Sequence, residues 1–203
     1  MTFLADAQIE ARAAELWRRF SLRPGFDVEK LLDDLELDLC WEPVEDDDGG
    51  GAILGQLIPA QRLVVLNERH KDRLEEKEGG QLRYTVGHEI GHWIFHSEGL
   101  GEGATPLIAD ERTMCRTDSR KSIEIQAEMF SAALLMQRDV LKTALPNEEW
   151  RGWSPVYELA TLFSVTPTAM KNRLRRLGWI HLDAAEHPVS GPEPAPGQGS
   201  LLG

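Results

Sequence analysis

An α+β fold, a small antiparallel sheet on a helical core followed by a helical hairpin, is predicted by three features of the sequence. Amphipathic helical stripes lie towards both ends of the chain, short apolar and β-branched runs cluster within residues 37–68, and two central helical segments carry histidines and glutamates.

The elements follow in order. Residues 6–20 place Ile9, Ala13, Leu16 and Phe20 on one stripe of an opening helix. Asp27 is a candidate N-cap for a second short helix with Val28, Leu31, Leu32 and Leu35 on its apolar side. The period then shortens: "LDLCWEPV", "AILGQLIPA" and "RLVVLNE" read as strands separated by the acidic glycine loop "EDDDGGG" and by a turn at Pro59 and Ala60. Beside three glycines, Asp46, Asp47 and Asp48 read as a solvated hairpin tip rather than a cation site. After a charged stretch and Gly79-Gly80, residues 81–96 read as a helix, and residues 97–122 as a polar loop. "IEIQAEMFSAALLM" is a long helix, continued or kinked through "QRDVLKTAL" and ended by Pro146. Residues 154–163 and 167–177 form two further helices, with Ser154 and Thr166 as N-cap candidates, each followed by proline. The proline- and glycine-rich tail reads as disordered.

Composition narrows the function classes. The formal charge of −12 over 203 residues opposes indiscriminate binding to nucleic acid. One segment runs the other way: from Arg151 to His181 there are five basic side chains, Arg151, Lys171, Arg173, Arg175 and Arg176, against Glu158 alone. Cys40 and Cys115 form no disulfide framework, which fits a reducing compartment. The N-terminal residues lack the pattern of a signal peptide, and no run approaches the roughly 20 apolar residues of a membrane span. A cytoplasmic protein without a membrane partner is expected.

The chemistry concentrates in "HEIGHWIFH". On a helix, positions four apart share one face, so His88 and His92 can address a single ion, while Glu89 is rotated away to where a carboxylate takes a proton from metal-bound water. His96 lies eight residues from His88, about 12 Å along a continuous helix, too far to share that ion. A third ligand must come from elsewhere. In residues 123–136, ten of fourteen side chains are apolar and fall on every side, yet Glu124 and Glu128 are among them. Buried carboxylates require a partner or a metal, and two histidines with one glutamate and an open position form a catalytic zinc set.

"LRYTVGHEIGHWIFH" followed by "IEIQAEMFSAALLM" resembles the ImmA/IrrE family of zinc metallopeptidases over roughly residues 35–177. The resemblance implies a zincin-like core, zinc ligands at His88, His92 and Glu124, and a general base at Glu89, with Glu124 favoured over Glu128 by the spacing to Ala127. Two residues depart from the family pattern: Gln137 stands where proline is usual, and Glu128 where a small polar residue is usual. The resemblance further implies an intracellular protein substrate, a helix-turn-helix transcriptional repressor, cut by a zinc-dependent endopeptidase. Manganese or another divalent ion is the alternative to zinc, since similar ligands suit several metals. His96 and Tyr157 are candidates for stabilising an oxyanion.

Residues 1–150 are thus expected to form the metallopeptidase domain, residues 151–185 a helix-turn-helix-like segment, and residues 186–203 a disordered tail. The segment could present Lys171, Asn172 or Arg175 to a major groove, but packing beneath the catalytic helices is the favoured reading. Two rival functions remain at this point: a DNA-binding regulator with a non-catalytic metal site, and a protein that holds a repressor without cutting it.

Overall fold

A computed structural model describes residues 4–46, 52–76, 80–96, 107–110 and 118–192, with the side chains of 96, 107–110 and 118–121 outside the description. The elements run α1 (Asp6–Arg19), α2 (Val28–Asp34), β1 (Asp38–Glu42), β2 (Ile53–Ile58), β3 (Leu63–Asn67), α3 (Lys71–Leu74), α4 (Gly80–His96), β4 (Leu107–Asp110), α5 (Asp118–Leu135), α6 (Arg138–Ala144), α7 (Ser154–Phe163), α8 (Pro167–Arg176), β5 (Ile180–Leu182) and β6 (Pro188–Ser190). The α+β class holds. No described helix is long and apolar enough to cross a membrane.

Local chemistry explains most boundaries. The α1 stripe buries Ile9, Ala13, Leu16 and also Trp17, while Phe20 is only half-buried at the C-cap. Asp27 caps α2 by accepting from the Glu29 and Lys30 amides, and Thr166 caps α8 by accepting from Ala169. Ser154 does not cap α7: it is the first helical residue, Trp153 holds the cap position, and the Ser154 hydroxyl turns to Glu158 at 3.0 Å. Gln137 separates α5 from α6 without proline, in extended backbone, with its side-chain oxygen accepting from Val140 at 2.8 Å.

The main sheet is mixed rather than wholly antiparallel. Its order is β1-β3-β2-β4: β1 pairs parallel with β3, and β2 is antiparallel to β3 and β4. Apolar patterning marks strands but not their partners, so the parallel pair was not visible in the sequence. The fourth strand arises inside the stretch expected to be a polar loop, and its pairing with β2 shifts register between Ile53 and Gly55. The acidic tip at residues 47–51 lies outside the described residues, but Asp46 at its edge anchors the turn, accepting from the Ile53 amide at 2.9 Å and pairing with His70. Asn67 is fully buried and bridges three segments, donating to the Val44 and Ile53 carbonyls and accepting from the Val44 and Arg69 amides.

Helix α4 lies between the sheet and α5, and α1 and α8 pack on α5. Phe130, Leu134, Leu135, Val86 and Ile90 are completely buried at this centre. Each such side chain is worth about 1.5–3 kcal/mol of burial. The tail expectation needs correction at its start: Pro188–Ser190 forms β6 against β5, with proline at the first position of a short strand where no ladder donor is required. Residues 193–203 lie outside the described residues.

Candidate metal centre

The centre is built where α4 and α5 approach closely. Two helix-interior glycines permit that approach. A Cβ on Gly87 would stand 2.7 Å from the Ser131 hydroxyl oxygen, and one on Gly91 would stand 3.1 Å from the Ala127 Cα. Interior glycines cost a helix about 1 kcal/mol each relative to alanine, so their use here reflects the packing they allow. The same register lets the Ser131 hydroxyl donate to the Tyr84 carbonyl at 2.8 Å. Gly87 and Gly91 alternate with His88 and His92, so the face that admits α5 adjoins the face that carries both imidazoles.

His88, His92 and Glu124 converge as expected from their spacing and from the second helix. Nε2 of His88 and Nε2 of His92 are 2.9 Å apart, and Oε2 of Glu124 lies 3.1 Å from the first and 3.3 Å from the second. His92 is completely buried and His88 nearly so. An ion bonded at about 2.0–2.1 Å in tetrahedral geometry sets its ligands roughly 3.3 Å apart, close to this triangle. The donor set also fits a cation chemically. Burial lowers the His92 pKa, against an opposing hydrogen bond with Glu124 and with a smaller contribution from the neighbouring His88. Burial works against the charge on Glu124, but hydrogen bonds from His88 and His92 outweigh it and hold the carboxyl down at about 2. A carboxylate and neutral imidazole nitrogen are the forms that bind a metal.

Glu89 lies one residue off this triangle, pointing towards the sheet. Its side chain is completely buried, and among the described residues no side chain hydrogen-bonds to either carboxylate oxygen; the Leu57 backbone of β2 is its polar neighbour. Burial, and then the Glu124 carboxylate, push its pKa well above the ordinary glutamate value. Strand β2 closes over it at a glycine: a Cβ on Gly55 would stand 3.4 Å from Oε1 of Glu89 and 2.8 Å from Cγ2 of Thr85. Gly55, Gly87 and Gly91 were missed as site residues, although glycine inside a strand or helix pattern is itself a signal of close backbone approach.

The two acids of α5 separate. Glu124 joins the cluster with its side chain 15% exposed, whereas Glu128 is solvent-exposed, so α5 is not buried all round as its composition suggested. The side chain of His96 is outside the described residues. Tyr157 is 52% exposed on α7, with its ring tilted against Trp153 at 6.0 Å.

A small sheet over a helix bearing two histidines, with a glutamate supplied by a second helix, defines an α+β protein with a His-His-Glu group able to hold a metal ion. The chain belongs to the peptidase M78 family of IrrE N-terminal-like domains, whose family model matches residues 33–175. The family's description names its members as peptidases, and His88, His92 and Glu124 form a group that could hold a metal ion. No curated protein matches the chain significantly. Among solved structures, a Mycobacterium tuberculosis transcriptional regulator is similar at 12% identity with a TM-score of 0.56, covering 92% of this chain. The chain spans 55% of that regulator's length, and the likeness concerns the fold.

Proposed function

We propose that the chain is a zinc-dependent endopeptidase that cuts an intracellular protein, a helix-turn-helix transcriptional repressor, with His88, His92 and Glu124 as metal ligands and Glu89 as general base. The observation that carries this reading is the pairing of a closed donor triangle with a buried carboxylate beside it: ligand atoms 2.9 to 3.3 Å apart, and a Glu89 carboxyl to which no described side chain hydrogen-bonds. A purely structural metal site has no use for such a base. The family supports the peptidase chemistry, and the resemblance described above supports the repressor as substrate. Manganese or another divalent ion is the alternative occupant.

A divalent cation bound there acidifies water and polarises a peptide carbonyl. The chain's own residues supply the rest. His88 and His92 would turn their Nε2 atoms to the ion, and the buried Glu124 carboxylate would offset positive charge at the same point. Glu89, with its proton affinity raised, accepts a proton from the attacking water and returns it to the leaving amine. The strand over Gly55 keeps bulk water from that carboxyl.

The test is incubation of the zinc-loaded protein with a co-encoded helix-turn-helix repressor, comparing native chain with Glu89→Gln. Cleavage products from the native chain and a loss of about a hundredfold or more in the variant are expected. Equal products from both would overturn the mechanism.

A further inference from the structure

A second feature adjoins the donor triangle. A cavity of about 310 Å³ opens where α4, α5 and α8 meet, walled by Tyr84, Glu128, Met129, Ala132, Asn172 and Arg176 among others. Tyr84 precedes His88 by four residues on α4, and Glu128 follows Glu124 by four on α5. Each therefore lies one turn, about 5.4 Å, along the helix face that carries a metal-ligand candidate. The Tyr84 hydroxyl donates to the Glu128 carbonyl at 3.2 Å and ties the two walls together. Glu128 is within electrostatic range of His88, Glu124 and Arg176.

The charges around this cavity are unevenly satisfied. Arg173 is paired with Glu10 at 2.5 Å and Arg176 with Asp6 at 3.4 Å. Among the described residues, no cation lies within ion-pair distance of the Glu128 carboxylate. Of the remaining walls, Asn172 is polar, while Met129, Ala132, Ala169 and the Tyr84 ring give an apolar side that suits the aliphatic stem of a long side chain. A partly apolar cavity whose two arginines are paired with acids of α1, and whose carboxylate has no ion-pair partner among the described residues, matches lysine or arginine, whose stem buries while the charged head finds its counter-ion.

We propose that this cavity is a side-chain subsite that selects a basic residue, lysine or arginine, at a fixed distance from the bond being cut, with Glu128 as its specificity-determining carboxylate. This rests on the peptidase reading above. The net charge of −12 favours the approach of basic segments in general, but only a localised subsite ties a basic residue to one position relative to the cut.

The test uses the full chain loaded with zinc and a complex mixture of peptides generated by a glutamate-specific protease, so that lysine and arginine remain internal. New termini are mapped by mass spectrometry for native chain, Glu128→Gln and Glu128→Lys. In the native digest basic residues are enriched at one position relative to the cut by at least about fivefold, the scale of a single charged contact in substrate discrimination. That enrichment disappears in Glu128→Gln and gives way to acidic residues in Glu128→Lys. Position 128 is exposed, so both variants are expected to fold, which matching thermal midpoints will verify. Cleavage by the native chain with an unchanged residue preference in both variants overturns the subsite while leaving the peptidase intact. Absence of any cleavage by the zinc-loaded native chain overturns the peptidase reading, and the subsite with it.

Discussion

At the scale of the residue, the site depends on atoms a sequence shows and on spaces it does not. The spacing of His88, Glu89 and His92 was legible because helical geometry alone relates positions four apart. Glu124 was legible only through a second patterned helix, since nothing local to it names its partners. Gly55 belongs to the other kind, because its importance arises from what lies across the sheet-to-helix gap. Replacing it by alanine brings a methyl group to 2.8 Å from Thr85 and 3.4 Å from Glu89. On the proposed peptidase reading, Gly55→Ala should slow peptide hydrolysis about tenfold or more through displaced proton transfer, with bound metal unchanged by elemental analysis; loss of metal would instead place the damage at the ligands. Asn67 is a structural counterpart, since its buried amide uses both donors and its acceptor to join the ends of β1, β2 and β3. Asn67→Ala leaves backbone groups without partners and is expected to cost about 2–4 kcal/mol in urea denaturation.

At the scale of the element, the α4–α5 pair decides whether a third ligand reaches the two histidines. The Ala127 carbonyl oxygen and Phe130 Cδ1 each stand 3.2 Å from where a Gly91 side chain would begin. Gly91→Val should therefore push α5 outward and draw Glu124 back. Zinc affinity measured by competition with a chelating dye should fall by about tenfold or more, alongside an overpacking cost of about 1–3 kcal/mol. Unchanged affinity would mean that α5 tolerates the shift without moving Glu124. Helices were the better-read elements because their period, caps and prolines are local. Strand partners were not: a parallel β1–β3 pair and the short β4 depend on which edges meet after collapse, and five β-forming residues carry no record of that. The break at Gln137 shows a similar limit, as its capping oxygen does by a hydrogen bond what the proline usual at this place in the resembled family would do by its ring.

At the scale of the whole molecule, α1 and α8, far apart in the sequence, are fastened to the same central helix. Arg173 of α8 is 1% exposed, pairs bidentately with Glu10 of α1, and donates through Nε to the Met136 carbonyl just past the end of α5 at 3.1 Å. Trp17 of α1 donates to the Leu134 carbonyl at 2.6 Å. Removing only one member of the pair leaves the other short of a partner, so Glu10→Ala should destabilise the protein by about 3 kcal/mol or more. The Arg173→Met, Glu10→Leu double variant should recover much of that loss, as read from paired thermal melts; equal destabilisation by both would assign the effect to packing. The clasp also explains why the basic segment counts for less than its charge suggests: two of its five cations, Arg173 and Arg176, are already engaged by α1 acids. It has one further consequence. Sequence likeness begins at residue 33, yet α1, which covers one side of α5, precedes that boundary. A fragment trimmed to the region of likeness would uncover the side of α5 on which α1 packs, remove the Trp17 donor from the Leu134 carbonyl and strand Arg173 without its acid. Light scattering of such a fragment should reveal self-association, so the smallest autonomous body of this protein is larger than the stretch by which it is recognised.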